Sequence, residues 1–348
     1  MTSAIYYKGK EQLIPGQTEN RAPGPGEVQI RVSWCGICGT DLHIFHGRMD
    51  GRVGASRIIG HEASGIVEAI GTGVKDLQVG QAVTVMPLDW CGECPSCKAG
   101  HTHICQKLRF LGIDSPGAFQ SLWTVPSRAV FPLPASVKLD RAALIEPLAV
   151  ACHDIRRGRV TAGELVVVLG GGPIGALIAL VARGRGARVI VSELNGARIS
   201  LLQSLGLECV NPKERDLVEL VNERSGGAGA DVVFEVTGHP DGVAMATKLP
   251  RTRGRIVVVG IFAKAPPVDL FAMFWRELEL VGARVYELED FIAAIGLAAD
   301  EELGLDHLIS ARLPLVELEK GIRQMESGGD CMKILIRCNS ENNNQGKD

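Results

Sequence analysis

The sequence predicts an α/β protein in two parts, a mostly β N-terminal part followed by a doubly wound parallel sheet. Three observations carry this expectation. Up to about Val130, short β-rich runs at Val28–Trp34, Ala63–Ile70 and Ala82–Met86 are separated by glycine, proline and loop clusters. From Gly163 onward the largely apolar strands Leu165–Leu169, Arg188–Glu193, Glu208–Val210, Asp231–Glu235 and Arg255–Gly260 alternate with helical stretches, the pattern of a parallel sheet covered on both faces. The length of 348 residues also exceeds what one core usually carries, so two domains are expected. After Gly282 there remain helical stretches at Leu288–Ala299 and Leu315–Met325 and a strand at Met332–Ile336, too little for a third domain. Asn339 to Asp348 is polar and without apolar periodicity, so disorder is expected there.

A net charge of -3 offers no electrostatic reason to expect nucleic acid or an anionic membrane as partner, which leaves a small molecule. The stretch Met1–Pro15 lacks the basic-then-apolar pattern of a signal peptide, so the expected location is the cytoplasm, where the ten cysteines read as metal ligands or free thiols. Leu165–Ala182 runs eighteen residues without a charge, long enough to raise a membrane span. Gly170-Gly171-Gly172-Pro173 interrupts it, which predicts a buried strand, a glycine turn and a buried helix instead.

That strand-to-helix junction carries Gly170-x-Gly172-x-x-Gly175, with Pro173 and Ile174 between the last two glycines. The first glycine permits the tight turn, the second lets a pyrophosphate approach the backbone, and the helix N-terminus presents free N–H groups to phosphate. Glu193, at the end of the second strand, stands where a carboxylate binds both hydroxyls of an adenosine ribose. It argues for NAD over NADP, since a 2′-phosphate would meet a like charge, although Arg198 is near enough in sequence to pair with one.

Four cysteines, Cys91, Cys94, Cys97 and Cys105, fall within fifteen residues. An iron–sulfur run of the bacterial kind would place the fourth cysteine sooner and follow it with proline, and a zinc ribbon would use two separated pairs. A closed four-thiolate zinc, structural because it leaves no open position, accounts for all four. A second set is dispersed: Cys38, His61 with Glu62, and Glu146, together a thiolate, an imidazole and carboxylates suited to an open zinc site.

Cys38-Gly39-Thr40-Asp41-Leu42-His43, Gly60-His61-Glu62-Ala63-Ser64-Gly65, the four-cysteine lobe, Glu146-Pro147 and the Gly170–Gly175 loop, in this order, resemble the zinc-dependent medium-chain alcohol dehydrogenases over nearly the whole chain. Within that superfamily the likeness is greatest to polyol, sorbitol and butanediol dehydrogenases, with L-threonine 3-dehydrogenases next. The resemblance implies a GroES-like catalytic domain over residues 1–148 to which 285–338 returns, a Rossmann NAD-binding domain over 149–284, and substrate held between them.

The same resemblance implies site roles. Cys38 and His61 would hold a catalytic zinc, with either Glu62 or Glu146 as the remaining protein ligand, the two exchanging roles as substrate arrives. Thr40 matches a hydroxyl relay, and His43 matches the histidine that delivers the alcohol proton to solvent. Ile174, Glu193 and Arg198 fall on NAD-contact positions, and Val259-Gly260-Ile261 on the stretch beside the nicotinamide. Tyr286 matches a pocket tyrosine of polyol and butanediol dehydrogenases, and Arg284 lies one residue off the arginine expected for sorbitol. Threonine dehydrogenases carry arginine in place of Tyr286, which counts against threonine.

The implied reaction is oxidation of a secondary alcohol of a polyol or vicinal diol to the ketone, with NAD and with one catalytic and one structural zinc per subunit. The subunits would form a homodimer or homotetramer through the apolar stretch Leu278–Val281. Threonine 3-dehydrogenase and sugar dehydrogenase are the enzymatic alternatives. A zinc- and dinucleotide-binding relative without catalysis is a third, against which the intact set Cys38, His61, Thr40 and His43 speaks.

Overall fold

The computed structural model describes residues 1–54 and 56–339, so the tail expected to be disordered lies outside the described residues except for Asn339. The chain divides into two units, one of residues 1–146, 295–299 and 308 onward, the other of residues 147–294 and 300–307.

The first unit is built on a seven-stranded sheet. Its longest strand, Glu27–Gly36, pairs antiparallel with Glu62–Ile70, Leu122–Pro126 and the C-terminal strand Lys333–Arg337. Each end of the chain therefore supplies strands to one sheet. The expected runs at Val28–Trp34, Ala63–Ile70 and Ala82–Met86 are all strands, with Glu27–Gly36 extended at both ends. An N-terminal hairpin, Thr2–Tyr7 with Leu13–Thr18, has no counterpart in the sequence reading. Its second strand contains Pro15 and Gly16 and is largely exposed, so it lacks the apolar alternation that marks a strand.

The second unit is a six-stranded parallel sheet in the order Glu208–Val210, Arg188–Ser192, Leu165–Leu169, Ala230–Glu235, Pro250–Val258, Glu279–Gly282. This is the classic dinucleotide-binding order, reversing direction between the third and fourth positions. Leu165–Leu169 is buried along its length, as an inner parallel strand must be. Four strand ends differ from expectation: Arg188–Ser192 stops before Glu193, Ala230–Glu235 begins one residue early, and Pro250–Val258 begins five residues early and ends before Gly260. The polar run Arg251-Thr252-Arg253 conceals that early start, because it lies in the register shift between the pairs Ala230–Pro250 and Val232–Arg255 and outside the core. Among the described residues no helix is long and apolar enough to cross a membrane; Leu165–Ala182 holds a strand and the start of the helix Pro173–Gly184.

Residues 285–294, expected with the first domain, belong to the second unit. The reason is an ion network. Asp290, 3% exposed, faces Nδ1 of His153 at 2.8 Å and accepts from Nε and Nη2 of Arg156 at 2.8 and 2.9 Å. Its Oδ2 also takes the backbone N–H of Glu287 at 2.9 Å, so the start of the helix Leu288–Ala298 is fastened to the helix Ile145–Arg157. Burial by itself would raise the Asp290 carboxyl, but the hydrogen bonds from Arg156, His153 and Glu287 hold it well below the usual carboxylate range.

A carboxyl depressed on folding stabilises the native state above its unfolded value of about 3.9, and the contribution disappears as the pH falls below that. Asp290→Asn is accordingly expected to cost about 2 kcal/mol at pH 7, less than a fully buried pair would because Arg156 is partly exposed. Urea unfolding of variant and wild type should show the difference shrinking as the pH is lowered from 5 toward 3.

Candidate active site

Gly36 ends the long strand and is paired with Glu62 on one side and Leu335 on the other. A Cβ there would stand 2.1 Å from a Glu62 carboxylate oxygen, so any side chain would displace that carboxylate. Two residues on, Cys38 caps the helix Gly39–Phe45, whose Asp41 accepts the Cys38 backbone N–H at 2.9 Å. On the neighbouring strand, Gly60 takes φ +98°, with Phe119 where a Cβ would be, and this turn delivers His61. The Cys38 thiol, a His61 ring nitrogen and a Glu62 oxygen all lie within 4.8 Å of one another.

His61 is buried, its ring edge-on to Phe110 at 5.2 Å between centroids. Its Nδ1 has no hydrogen-bond partner, and the nearest carboxylate oxygen, on Asp41, is 3.9 Å away. A buried imidazole lowered by burial would be neutral, yet Cys38, Asp41 and Glu146 push it up to about 10. The acidic groups of the corner thus favour a positive charge there, and the donor set of thiolate, imidazole and carboxylate fits zinc.

The sequence reading missed Lys333. Its ammonium is buried and donates to both Glu62 oxygens at 2.6 and 2.7 Å and to the Ile37 carbonyl at 3.0 Å. Burial lowers this lysine, Glu62 and Cys38 raise it, and the balance keeps it charged. The available signal was a lysine inside the apolar run Met332-Lys333-Ile334-Leu335-Ile336. Of the two carboxylates named as alternatives, Glu62 stands in the three-residue cluster, backed by Lys333. Glu146 is buried at the start of the helix Ile145–Arg157, and its charge acts on both His61 and Lys333. Thr40 and His43 lie half-buried on the helix that Cys38 caps, and His43 Nδ1 is 3.3 Å from Arg48 Nη1.

The other four cysteines form a separate cluster, all four sulfurs within 4.8 Å of one another. Cys94 caps the short helix Pro95–Lys98, and a 3-10 turn at Thr102–Ile104 returns the chain to Cys105. Backbone N–H groups of Cys97 and Gln106 hold the Cys94 thiol down to about 6, while burial and the neighbouring thiols push Cys97 up to about 12. Four thiols that cannot all ionise together without a cation, ringed by N–H donors, fit a closed tetrahedral zinc.

In the second unit a cavity of about 650 Å³ is lined by Gly170, Gly172, Glu193 and Arg198, together with Thr237, His239 and others. Glu193 is fixed by three backbone N–H groups, those of Gly171 at 2.9 Å, Leu194 at 2.6 Å and Asn195 at 2.9 Å, with Arg198 Nη1 at 3.8 Å. Gly175 must be glycine because its Cβ would lie 1.8 Å from the Gly170 carbonyl, whereas a Cβ at Gly172 would meet nothing closer than Arg198 at 3.7 Å, leaving room for a ligand. Pro173 and Ile174 open the helix Pro173–Gly184, whose first N–H groups face the turn. Val259, Gly260, Ile261, Arg284 and Tyr286 do not line this cavity. Val259 and Gly260 donate their N–H groups to the Glu235 carbonyl, Ile261 and Arg284 are exposed, and Tyr286 is wholly buried against Phe291 with ring centroids 5.6 Å apart.

Residues 24–135 match the alcohol dehydrogenase GroES-like domain and residues 173–300 the zinc-binding dehydrogenase family. The chain is 53% identical to 2-dehydro-3-deoxy-L-galactonate 5-dehydrogenase of Pseudoalteromonas atlantica, over 97% of this chain and 99% of that one. It is 32% identical to L-galactonate-5-dehydrogenase of Escherichia coli, over 88% and 90% of the two chains. The crystal structure of 2R,3R-butanediol dehydrogenase from Bacillus subtilis superimposes with a TM-score of 0.90 at 30% identity, covering 97% of this chain and all of that one. With a thiolate–imidazole–carboxylate corner, a four-cysteine lobe and a dinucleotide turn in one chain, this protein belongs to the zinc-dependent medium-chain alcohol dehydrogenase superfamily, oxidoreductases that act on CH–OH groups with a nicotinamide dinucleotide.

Proposed function

We propose that this dehydrogenase oxidises a secondary hydroxyl of a six-carbon sugar acid to the ketone, with NAD as the hydride acceptor. The observation that carries the reading is the 53% identity, end to end, with an enzyme named for the 5-position of a deoxy-ketogalactonate, joined to a Cys38–His61–Glu62 corner suited to an alcohol oxygen. The L-galactonate relative points to the same carbon of a related acid. Zinc at this corner supplies Lewis acidity toward the substrate hydroxyl. The chain's own part is to hold Glu62 against Lys333, to place His61 beside Asp41, and to pass the alcohol proton outward through Thr40 and His43. Glu193, with its three amide donors, presents a carboxylate to the adenosine ribose and favours NAD. A neutral polyol or vicinal diol is the second reading, favoured by the butanediol dehydrogenase likeness.

Association of two copies is part of this reading. Leu270, Phe271, Phe274 and Trp275 are each at least 70% exposed on the helix Leu270–Arg276, just before the edge strand Glu279–Gly282 with its half-exposed Leu280. Such a patch beside an unpaired strand edge suits a second copy of the chain. A cytoplasmic setting suits ten cysteines none of which is disulfide-bonded.

Three outcomes are expected. In assays of NADH formation with L-galactonate, 2-dehydro-3-deoxy-L-galactonate, sorbitol, butanediol and threonine, a sugar acid should exceed the neutral substrates about tenfold or more in kcat/KM, the value of one charge-assisted hydrogen bond. Sorbitol or butanediol as the best substrate would shift the reading to polyols, and Cys38→Ser should abolish turnover on any of them. Metal analysis should give two zinc ions per chain, falling to one in Cys97→Ser, which should lower thermal stability while the remaining zinc stays bound. Sedimentation of Phe274→Asp should show a smaller species than wild type.

A further inference from the structure

The proton route assigned above to His43 requires a defined ring tautomer, and the loop after its helix supplies one. A guanidinium is a donor only, so Arg48 Nη1, 3.3 Å from His43 Nδ1, makes that nitrogen an acceptor and leaves the proton of the neutral ring on Nε2. The arginine is held at this reach by the chain itself. Its backbone N–H donates to the His43 carbonyl at 3.0 Å, and Gly47, at φ +74°, turns the chain to bring residue 48 back over the helix end. Among the described residues Arg48 has no acidic partner, unlike Arg52, which is forked onto Asp114 at 2.7 and 2.8 Å.

We propose that Arg48 is a positioning residue for the proton relay, holding His43 as the neutral Nε2–H tautomer and disfavouring its imidazolium form. The inference rests on the relay reading of His43. Burial, then Arg48, then His46 place the His43 imidazole below its ordinary value. The other charges near it are already matched. His46 lies against Glu11 of the N-terminal hairpin turn and Glu326 of the helix Leu318–Glu326; Arg323 of that helix is bound to Glu319 and sits over the Phe45 ring; Asp50 is bound by Tyr7. Arg48 is thus the unmatched cation at this imidazole. A relay base must be neutral to receive the alcohol proton, so a neighbouring cation extends its working range to lower pH and speeds return of the proton to water.

The test is a titration of 13C-labelled histidine in the zinc-loaded full chain, with the His43 signal assigned by its loss in His43→Asn. In Arg48→Gln the His43 midpoint should rise by about 0.7 pH unit, what a unit charge about 4 Å away is worth in a watery setting. Arg48→Lys, which keeps the charge, should restore most of the wild-type value. The acidic limb of kcat/KM should move upward with the midpoint. An unchanged His43 midpoint in Arg48→Gln overturns the proposal. A midpoint that rises while the acidic limb stays in place overturns the relay reading itself, and with it any part for Arg48 in turnover, though the coupling of the two side chains would stand.

Discussion

The Cys38, His61 and Glu62 corner depends on one buried ion pair, Lys333 with Glu62. Both side chains are almost wholly out of water, and each would be a large uncompensated charge without the other. Their meeting is prepared by sheet register: Gly36 is paired with Glu62 on one flank and with Leu335 on the other, and its missing side chain is the space into which the Glu62 carboxylate fits. The same strand runs on through Ile37, whose carbonyl takes the third Lys333 hydrogen bond, to Cys38. A residue near the C-terminus therefore sets the orientation of a carboxylate that lies beside Cys38 near the N-terminus. The C-terminal strand is as much a part of this corner as Cys38 and His61 are.

The two metal clusters solve the same chemical problem at different ranges. Around Cys94 a four-residue helix and a 3-10 turn fold four thiols together within fifteen residues, and backbone N–H groups stabilise the charge. That cluster closes on itself. The Cys38, His61 and Glu62 corner is assembled from a helix cap, a left-handed glycine turn and a strand start, and its negative charge is balanced from one side by Lys333.

In the second unit the same contrast holds between motif and frame. Leu165–Leu169 and the glycine turn were legible because an inner parallel strand is an uninterrupted apolar run and the turn needs glycine for steric reasons at Gly175. The start of Pro250–Val258 and the hairpin strand Leu13–Thr18 were not, since edge and polar segments pair through backbone alone. The place of residues 285–294 was hidden for a different reason: Asp290, His153 and Arg156 are far apart in sequence, and only the packed helices show that they form one network.

Sequence alone determined what is local, the four-cysteine lobe and the dinucleotide turn, which follow from residue types at short, sterically constrained spacings, and the superfamily, through motifs that recur in order along the chain. Tertiary structure decided what depends on pairing across the chain: that Lys333 backs Glu62, that Arg48 meets His43, and that Tyr286 is buried against Phe291 and away from the dinucleotide cavity. A hydrogen bond or a desolvated charge is defined by its partner, and spacing along a chain carries no record of partners brought together by sheet register and loop return.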